Sequence, residues 1–307
     1  MAESKINSSR SVGVELGRSS MTAVCIGRDG TVFDKKDAEI SFRESAVKQM
    51  SELLSEFRKA CGPFEHLGIA VPGLVSSDGR TVKYCSHIPE LSGMDLAAEV
   101  EAGTGIRAII ENDANAGGYG EFVAGAGRDA ENLFYATLGS GVGGALIFKG
   151  ALWRGAAGFA GEFGYFTIDS DGTRLEDVAS TPNIIRRTRS RFHQDNTSSL
   201  VELDEAAITL DDIVAAAVAD DDLARLMLER TGTFVGTAIA SVIDLLNIEM
   251  IVIGGEVMEA DHIVLNAAIE RARELAYSPS FDSTEIIKGE LGNNAAAIGA
   301  GLLAFSA

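Results

Sequence analysis

Two groups of residues in this chain have the types and spacing for chemistry. One is the run Glu111-Asn112-Asp113-Ala114-Asn115-Ala116; the other is a pair of glycine-rich turns, Gly17-Arg18-Ser19 and Gly139-Ser140-Gly141. The acidic run stands where an apolar strand, 107–111, meets a helix, 114–123. A carboxylate at the C-terminal end of a strand in an α/β protein points into the crevice where ligands bind. There Asp113 is suited to take the proton of a substrate hydroxyl as that oxygen attacks phosphorus. Capping of the following helix is the competing role for Asp113. It leaves Glu111 and Asn112 unexplained.

Gly139, Gly141 and Gly144 fit the dinucleotide pattern G-x-G-x-x-G, but that pattern must open a helix. Here Ala145-Leu146-Ile147-Phe148 follows, a β-like segment. A hairpin whose backbone N–H groups approach phosphate oxygens fits better, because glycine permits close contact and unusual dihedrals. A tight hairpin without a ligand explains one such turn well and two less well. No Gly-x-x-x-x-Gly-Lys-[Ser/Thr] is present, so a P-loop is excluded. A polyphosphate would then rest on backbone dipoles, hydroxyls and Mg²⁺, for which Glu15, Ser19, Thr137 and Ser140 have the chemistry. Glu15 lies in an apolar strand, where an ionised carboxylate is costly without a partner. A cation, direct or through water, supplies one; an edge-strand glutamate facing water is the alternative.

The elements that must position these groups form two similar units. Strands at 11–17 and 21–27, with a third at 31–33, are followed by a helix at 44–61, on which Val47, Met50, Leu53, Leu54 and Phe57 keep helical spacing. A strand at 67–71, a helix at 95–103 and the strand at 107–111 complete the first unit. The second opens with strands at 132–138, 145–148 and 151–153. Glu15-Leu16-Gly17 and Thr137-Leu138-Gly139 thus begin matching units, which predicts a duplicated α/β fold with a cleft between the copies. Helices are expected at 210–218, 222–246 and 262–276, and a strand at 249–253 ends at Gly254-Gly255. An apolar, small-residue helix at 295–305 closes the chain. The polar stretch 194–205 reads as an exposed loop.

Composition narrows the function classes. In 307 residues, 46% are hydrophobic and 23% charged, the balance of a soluble globular protein. Lys and Arg number 26 against 45 Asp and Glu, a net charge of −19 that disfavours nucleic acid and anionic membranes. The one basic run, Arg186-Arg187-Thr188-Arg189-Ser190-Arg191, reads as the solvated face of a helix. No apolar run reaches the roughly 18 residues of a membrane span, and residues 1–10 lack the apolar core of a secretory signal. Cys25, Cys61 and Cys85 are scattered, which suits a reduced cytoplasm.

With these motifs the chain resembles the ROK family of bacterial sugar kinases and sugar-responsive repressors, within the actin-like ATPase superfamily. The resemblance runs from Val12 to Ala304 and is most specific from Thr137-Leu-Gly-Ser-Gly-Val-Gly-Gly through Gly155, Gly158 and Gly161-Glu162-Phe163-Gly164. It implies a duplicated actin-like ATPase (ribonuclease H-like) fold. Residues 1–115 with 295–307 would form the smaller domain and 116–294 the larger, with a central cleft between them. It implies ATP-dependent phosphorylation of a hexose, glucose to glucose 6-phosphate, with Asp113 as general base. Asn112, Asp113, Glu162 and Glu176 would hold the sugar. Gly17, Arg18, Ser19, Thr137, Gly139, Ser140 and Gly141 would surround the phosphates, Gly254 and Gly255 the adenosine. Mg²⁺ would sit near Glu15, through water where the side chain does not reach, and the chain would form a homodimer.

Three departures stand out. Glu15-Leu-Gly17-Arg18-Ser19 replaces Asp-x-Gly-Gly-Thr, so the carboxylate is one methylene longer and an arginine stands for a glycine. Tyr165 occupies the position of a sugar-binding histidine. Asp169-Ser-Asp-Gly-Thr-Arg174 replaces a cysteine zinc knuckle, so no zinc is expected. Glu15 and Arg18 motivate a second reading, a sugar-binding sensor without efficient phosphoryl transfer. The ten residues ahead of the first strand are too few for a DNA-binding domain.

Overall fold

The computed structural model describes residues 10–41, 43–191, 197–260 and 262–306. In β1 (Ser11–Leu16), Val12, Val14 and Leu16 alternate with Gly13 and Glu15, so one face is apolar and the other is free for polar or close contacts. β1 pairs antiparallel with β2 (Ser20–Ile26), and β2 with β3 (Val32–Glu39). β3 is longer than the strand predicted at 31–33. It is an edge strand that is charged on both faces, with Asp34 and Lys36 on one and Lys35 and Asp37 on the other, a pattern that protects an edge. Helix α1 (Ala46–Cys61) buries Met50, Leu53, Leu54 and Phe57 against the Val12–Val14–Leu16 face. Strand β4 (His66–Val71), the short hairpin β5 (Leu74–Val75) and β6 (Val82–Tyr84), α2 (Leu96–Thr104) and β7 (Ala108–Asn112) follow. The first sheet has the order β3-β2-β1-β4-β7, with β1, β4 and β7 parallel.

After α3 (Asp113–Ala124) the pattern returns in β8 (Leu133–Leu138), β9 (Val142–Phe148) and β10 (Ala151–Leu152). Helices α4 (Glu176–Ala179), α5 (Thr181–Arg191), α6 (Leu210–Val218) and α7 (Asp222–Leu246) precede β11 (Met250–Gly254). Then come α8 (His262–Leu275), α9 (Ser278–Phe281), β12 (Glu285–Lys288) and α10 (Ala295–Ala304). The second sheet has the order β10-β9-β8-β11-β12, with the same parallel and antiparallel senses as the first. The two tripeptides that suggested duplication end β1 and β8, equivalent strands.

Helices α3 and α10 lie between the sheets. α10 rests on the face of the first sheet that carries Gly13 and Gly68; a β-carbon on Gly68 would stand 1.9 Å from the Ala300 carbonyl oxygen. Gly299 lets α10 cross α3 just as closely, 1.7 Å from the Ala116 oxygen by the same construction. The opposite side of α3 packs on Tyr135 and Ala145 of the second sheet. α7, 25 residues, is long and apolar enough to cross a bilayer. Here its apolar side is buried, and Gly232 and Gly236 bring it onto the backbone of α8.

Two expectations are met only in part. Within 194–205, residues 194–196 lie outside the described residues; the remainder is mostly exposed, as expected, but it is pinned at Ser198 and Leu200, which are buried. Asp221, the N-cap of α7, accepts hydrogen bonds from the Ser198 and Ser199 hydroxyls, and Leu200 is buried. The buried cap carboxylate draws Ser198 inward, while Ser199 stays at the surface. Nor is the basic run merely a solvated face. Arg187 donates to the Thr231 hydroxyl (2.5 Å) and covers the Phe234 ring, while Arg189 donates to the Ala206 and Ile208 carbonyls. Their long apolar stems favour this packing.

Candidate active site

The strand β7 ends at Asn112, whose extended backbone lets its side chain cap α3: Oδ1 accepts the Asn115 N–H at 3.0 Å. Asn112, not Asp113, is therefore the cap. Asn112 also donates to the Gly73 carbonyl (3.1 Å) and to Asp113 Oδ1 (3.0 Å), so both its amide hydrogens are engaged. Asp113, one residue into the helix, accepts the Ala114 N–H on Oδ1 at 2.8 Å. Its Oδ2 has no hydrogen-bond donor among the described residues. Half-buried at a strand end, Asp113 has its pKa pushed up to about 6, by burial first and by the charge of Glu162 in addition; its backbone hydrogen bonds oppose the rise.

Pairing register puts Glu15 of β1 in one cross-sheet row with Thr22, Ala70 and Glu111, on the face toward α10. Burial and the nearby Asp113 charge raise Glu15 to about 7, with Lys35 pulling the other way. Glu162 is raised by burial and then by Glu176. Glu15, Asp113, Glu162 and Glu176 thus interact as a chain of carboxylates across the space between the sheets. Ionising them together is unfavourable unless a cation or hydrogen-bond donors from a ligand offset the charge.

The two glycine turns are β-hairpins. At the first, the Gly17 N–H donates to the Ser20 carbonyl (2.8 Å); Arg18 and Ser19 are exposed, and the Arg18 side chain has no partner among the described residues. At the second, the Gly139 N–H donates to the Gly141 carbonyl (2.9 Å) and Ser140 is exposed, with Thr137 half-buried at the strand end. The end of β11 lies beside this hairpin, Gly254 pairing with Thr137 and Gly255 following it. Gly255 has φ +90° and would, with a β-carbon, meet the Leu138 oxygen at 2.3 Å.

Several functional candidates escaped the sequence. Thr181 donates its N–H to the Gly139 carbonyl (2.7 Å) and its hydroxyl to Glu256 (2.7 Å), so both side chains gather at the second hairpin. Glu256 follows Gly254-Gly255 directly, which was the available signal. Glu176 Oε2 accepts the Val142 N–H at 2.9 Å, placing this expected sugar residue on the hairpin backbone. Arg154 forks onto Glu111 Oε2 through Nε (2.8 Å) and Nη2 (2.6 Å). Tyr165 is 59% exposed, open to a ligand, with the Arg174 guanidinium 4.4 Å over its ring. In place of a zinc knuckle the chain turns on Asp169, whose Oδ1 accepts the Asp171 and Thr173 N–H groups.

The donor set suits Mg²⁺ of a particular kind. Carboxylate oxygens are hard ligands, yet among the described residues no three acidic, His or Cys side chains are grouped for a metal. An ion here would take Glu15, water and phosphate oxygens, the sphere Mg²⁺ prefers beside nucleotides.

A model described as the ROK family matches residues 11–307. The chain is 29% identical over 310 residues to a glucokinase of Halalkalibacterium halodurans, covering 95% of this chain and 94% of that protein. It is 24% identical to the xylose repressor of Bacillus subtilis over 94% of this chain and 75% of the repressor. Among solved structures, a ROK family glucokinase from Streptomyces griseus in complex with glucose and AMPPNP matches with TM-score 0.87 and 24% identity, over 97% of this chain and 100% of that one. The duplicated sheets are those of the actin-like ATPase fold. Matched by the family model from its first strand onward, the chain belongs to the ROK family.

Proposed function

We propose that this chain is an ATP-dependent sugar kinase that transfers a phosphoryl group to a hexose hydroxyl, glucose O6 in the first instance. The observation that carries this is Asp113, held by Asn112 and Ala114 through one carboxylate oxygen while the other stays free at the head of α3. A pKa of about 6 leaves it ionised at neutral pH and still basic enough to accept the hydroxyl proton. Glu162, Tyr165 and Glu176 would orient the sugar with Asn112 and Asp113, Asn112 through the remaining lone pair of its Oδ1. Gly17, Arg18, Ser19, Thr137, Gly139, Ser140 and Gly141 would line the phosphates and Gly254 and Gly255 the adenosine. Mg²⁺ near Glu15 would neutralise phosphate charge. Phosphoryl transfer is mainly positioning and electrostatics, so closure of residues 1–115 and 295–307 onto 116–294 belongs to the mechanism. The relatives named glucokinase support the substrate class. A cytoplasmic homodimer is part of the same proposal.

The test is ADP release from Mg-ATP against a panel of hexoses and N-acetylhexosamines. Turnover with one sugar, abolished in Asp113→Asn, is expected. Absence of turnover with every sugar, in folded protein, would overturn it. The exposed Arg18 and the longer Glu15 favour the second reading, a sugar sensor, for which sugar-dependent thermal stabilisation without ADP release is the signature.

A further inference from the structure

Glu111 is 4% exposed, and its carboxylate collects four donors from three places. Oε1 accepts the Asn112 N–H and Asn115 Nδ2, both at 3.0 Å. Oε2 accepts the Arg154 fork at 2.8 and 2.6 Å. The first pair fixes the turn that carries Asn112 and Asp113. The second reaches from the other unit: Arg154 lies two residues past the end of β10, and its carbonyl accepts the Ala160 N–H (3.0 Å), closing the loop that runs on to Glu162. Gly158 of this loop lies against Val75 and Ser77 of the first unit.

We propose that Arg154 is a positioning residue, a latch that sets the Asn112–Asp113 turn against the loop leading to Glu162. This rests on the kinase reading for its effect on rate, but the geometry stands apart from it. A planar fork on one buried oxygen fixes angle as well as distance, which an ammonium cannot do. Without it, Glu111 keeps only donors from its own unit, and the proton acceptor and the sugar loop lose their shared reference. Errors of about 1 Å at a phosphoryl-transfer site lower rate by roughly 100-fold.

The test compares Arg154→Ala, Arg154→Lys and Glu111→Gln with the unaltered chain. Expected for Arg154→Ala is a fall of about 10- to 100-fold in kcat with a smaller rise in the sugar KM and an unchanged ATP KM. Millimolar guanidinium should restore several-fold activity to Arg154→Ala and none to Asp113→Asn; Arg154→Lys should lie between. Glu111→Gln combined with Arg154→Ala should be little worse than the poorer single variant. Activity of Arg154→Ala within twofold of the unaltered chain, or a loss that guanidinium does not relieve, would overturn the latch. Amide hydrogen exchange decides the matter if the unaltered chain phosphorylates no sugar, which refutes the kinase reading alone. Faster exchange at Asn112 and across 154–162 in Arg154→Ala, with the rest unchanged, supports the latch. Unchanged exchange there sinks it.

Discussion

Replacing Asp113 by Asn separates the proton-accepting role from the structural one. The carboxyl of Asp113 rises from 3.8 to about 6, so the folded chain holds its proton more tightly than the unfolded chain does. Stability from that proton is fully present below pH 3.8 and is lost as pH rises through 6. Two pH units correspond to about 3 kcal/mol, the ceiling for the ionisation penalty at pH 8, since the side chain is only half-buried. Asn keeps Oδ1 as acceptor for Ala114 and Asn112 and carries no charge. Asp113→Asn should therefore melt higher than the parent at pH 8, by roughly 2–5 °C for a chain of this size, and should lose that advantage near pH 3.8. Turnover should fall by about 100- to 10,000-fold, the usual contribution of a general base. Calorimetry at both pH values and ADP release with Mg-ATP and glucose measure the two effects. A lower melting temperature at pH 8, an advantage that grows on acidification, or unchanged turnover would refute the assignment.

Three further outcomes follow from the same geometry. The kcat/KM of the unaltered enzyme should fall as pH drops through about 6; because the Glu162 charge helps raise Asp113, Glu162→Gln should move that limb to lower pH, read from a pH–rate profile on residual activity. Glu121, fully buried, accepts the Ala126 (2.9 Å), Glu290 (3.0 Å) and Leu291 (2.9 Å) N–H groups and ties the end of α3 to the segment returning to α10. Glu121→Gln sets a carboxamide NH₂ against these donors and should lower stability by about 3 kcal/mol, visible as a lower urea midpoint. Gly299→Ala should destabilise by about 3 kcal/mol, since its β-carbon would enter the Ala116 carbonyl; a midpoint within 0.2 M urea of the parent would contradict the close α3–α10 crossing.

Much of the site was legible because its chemistry is local. A glycine hairpin is written in consecutive residues, and so is a strand end with Glu, Asn and Asp; the register then showed Glu15 and Glu111 in one row across the sheet. Capping, the competing role for Asp113, falls to Asn112 instead, because it depends on where the strand's extended backbone stops, and that backbone continues through Asn112. Thr181, Glu256 and Arg154 went unnoticed for a different reason. Each acts on a partner distant in the chain, at a sequence separation of 75 for Thr181 and Glu256 and 43 for Arg154 and Glu111.

By itself the sequence determined the two matching units, the carboxylate at the strand end, the glycine hairpins and the residues that depart from the family. These follow from periodicity, turn chemistry and side-chain type, which act between near neighbours. Only the tertiary structure decided how those pieces are oriented. It brought Asp113 close enough to Glu15 and Glu162 for their charges to shift ionisation, buried Glu111 against an arginine from the loop after β10, and left one oxygen of Asp113 free. Desolvation and charge coupling depend on distance in space, and the small-residue crossing of α3 and α10 sets those distances.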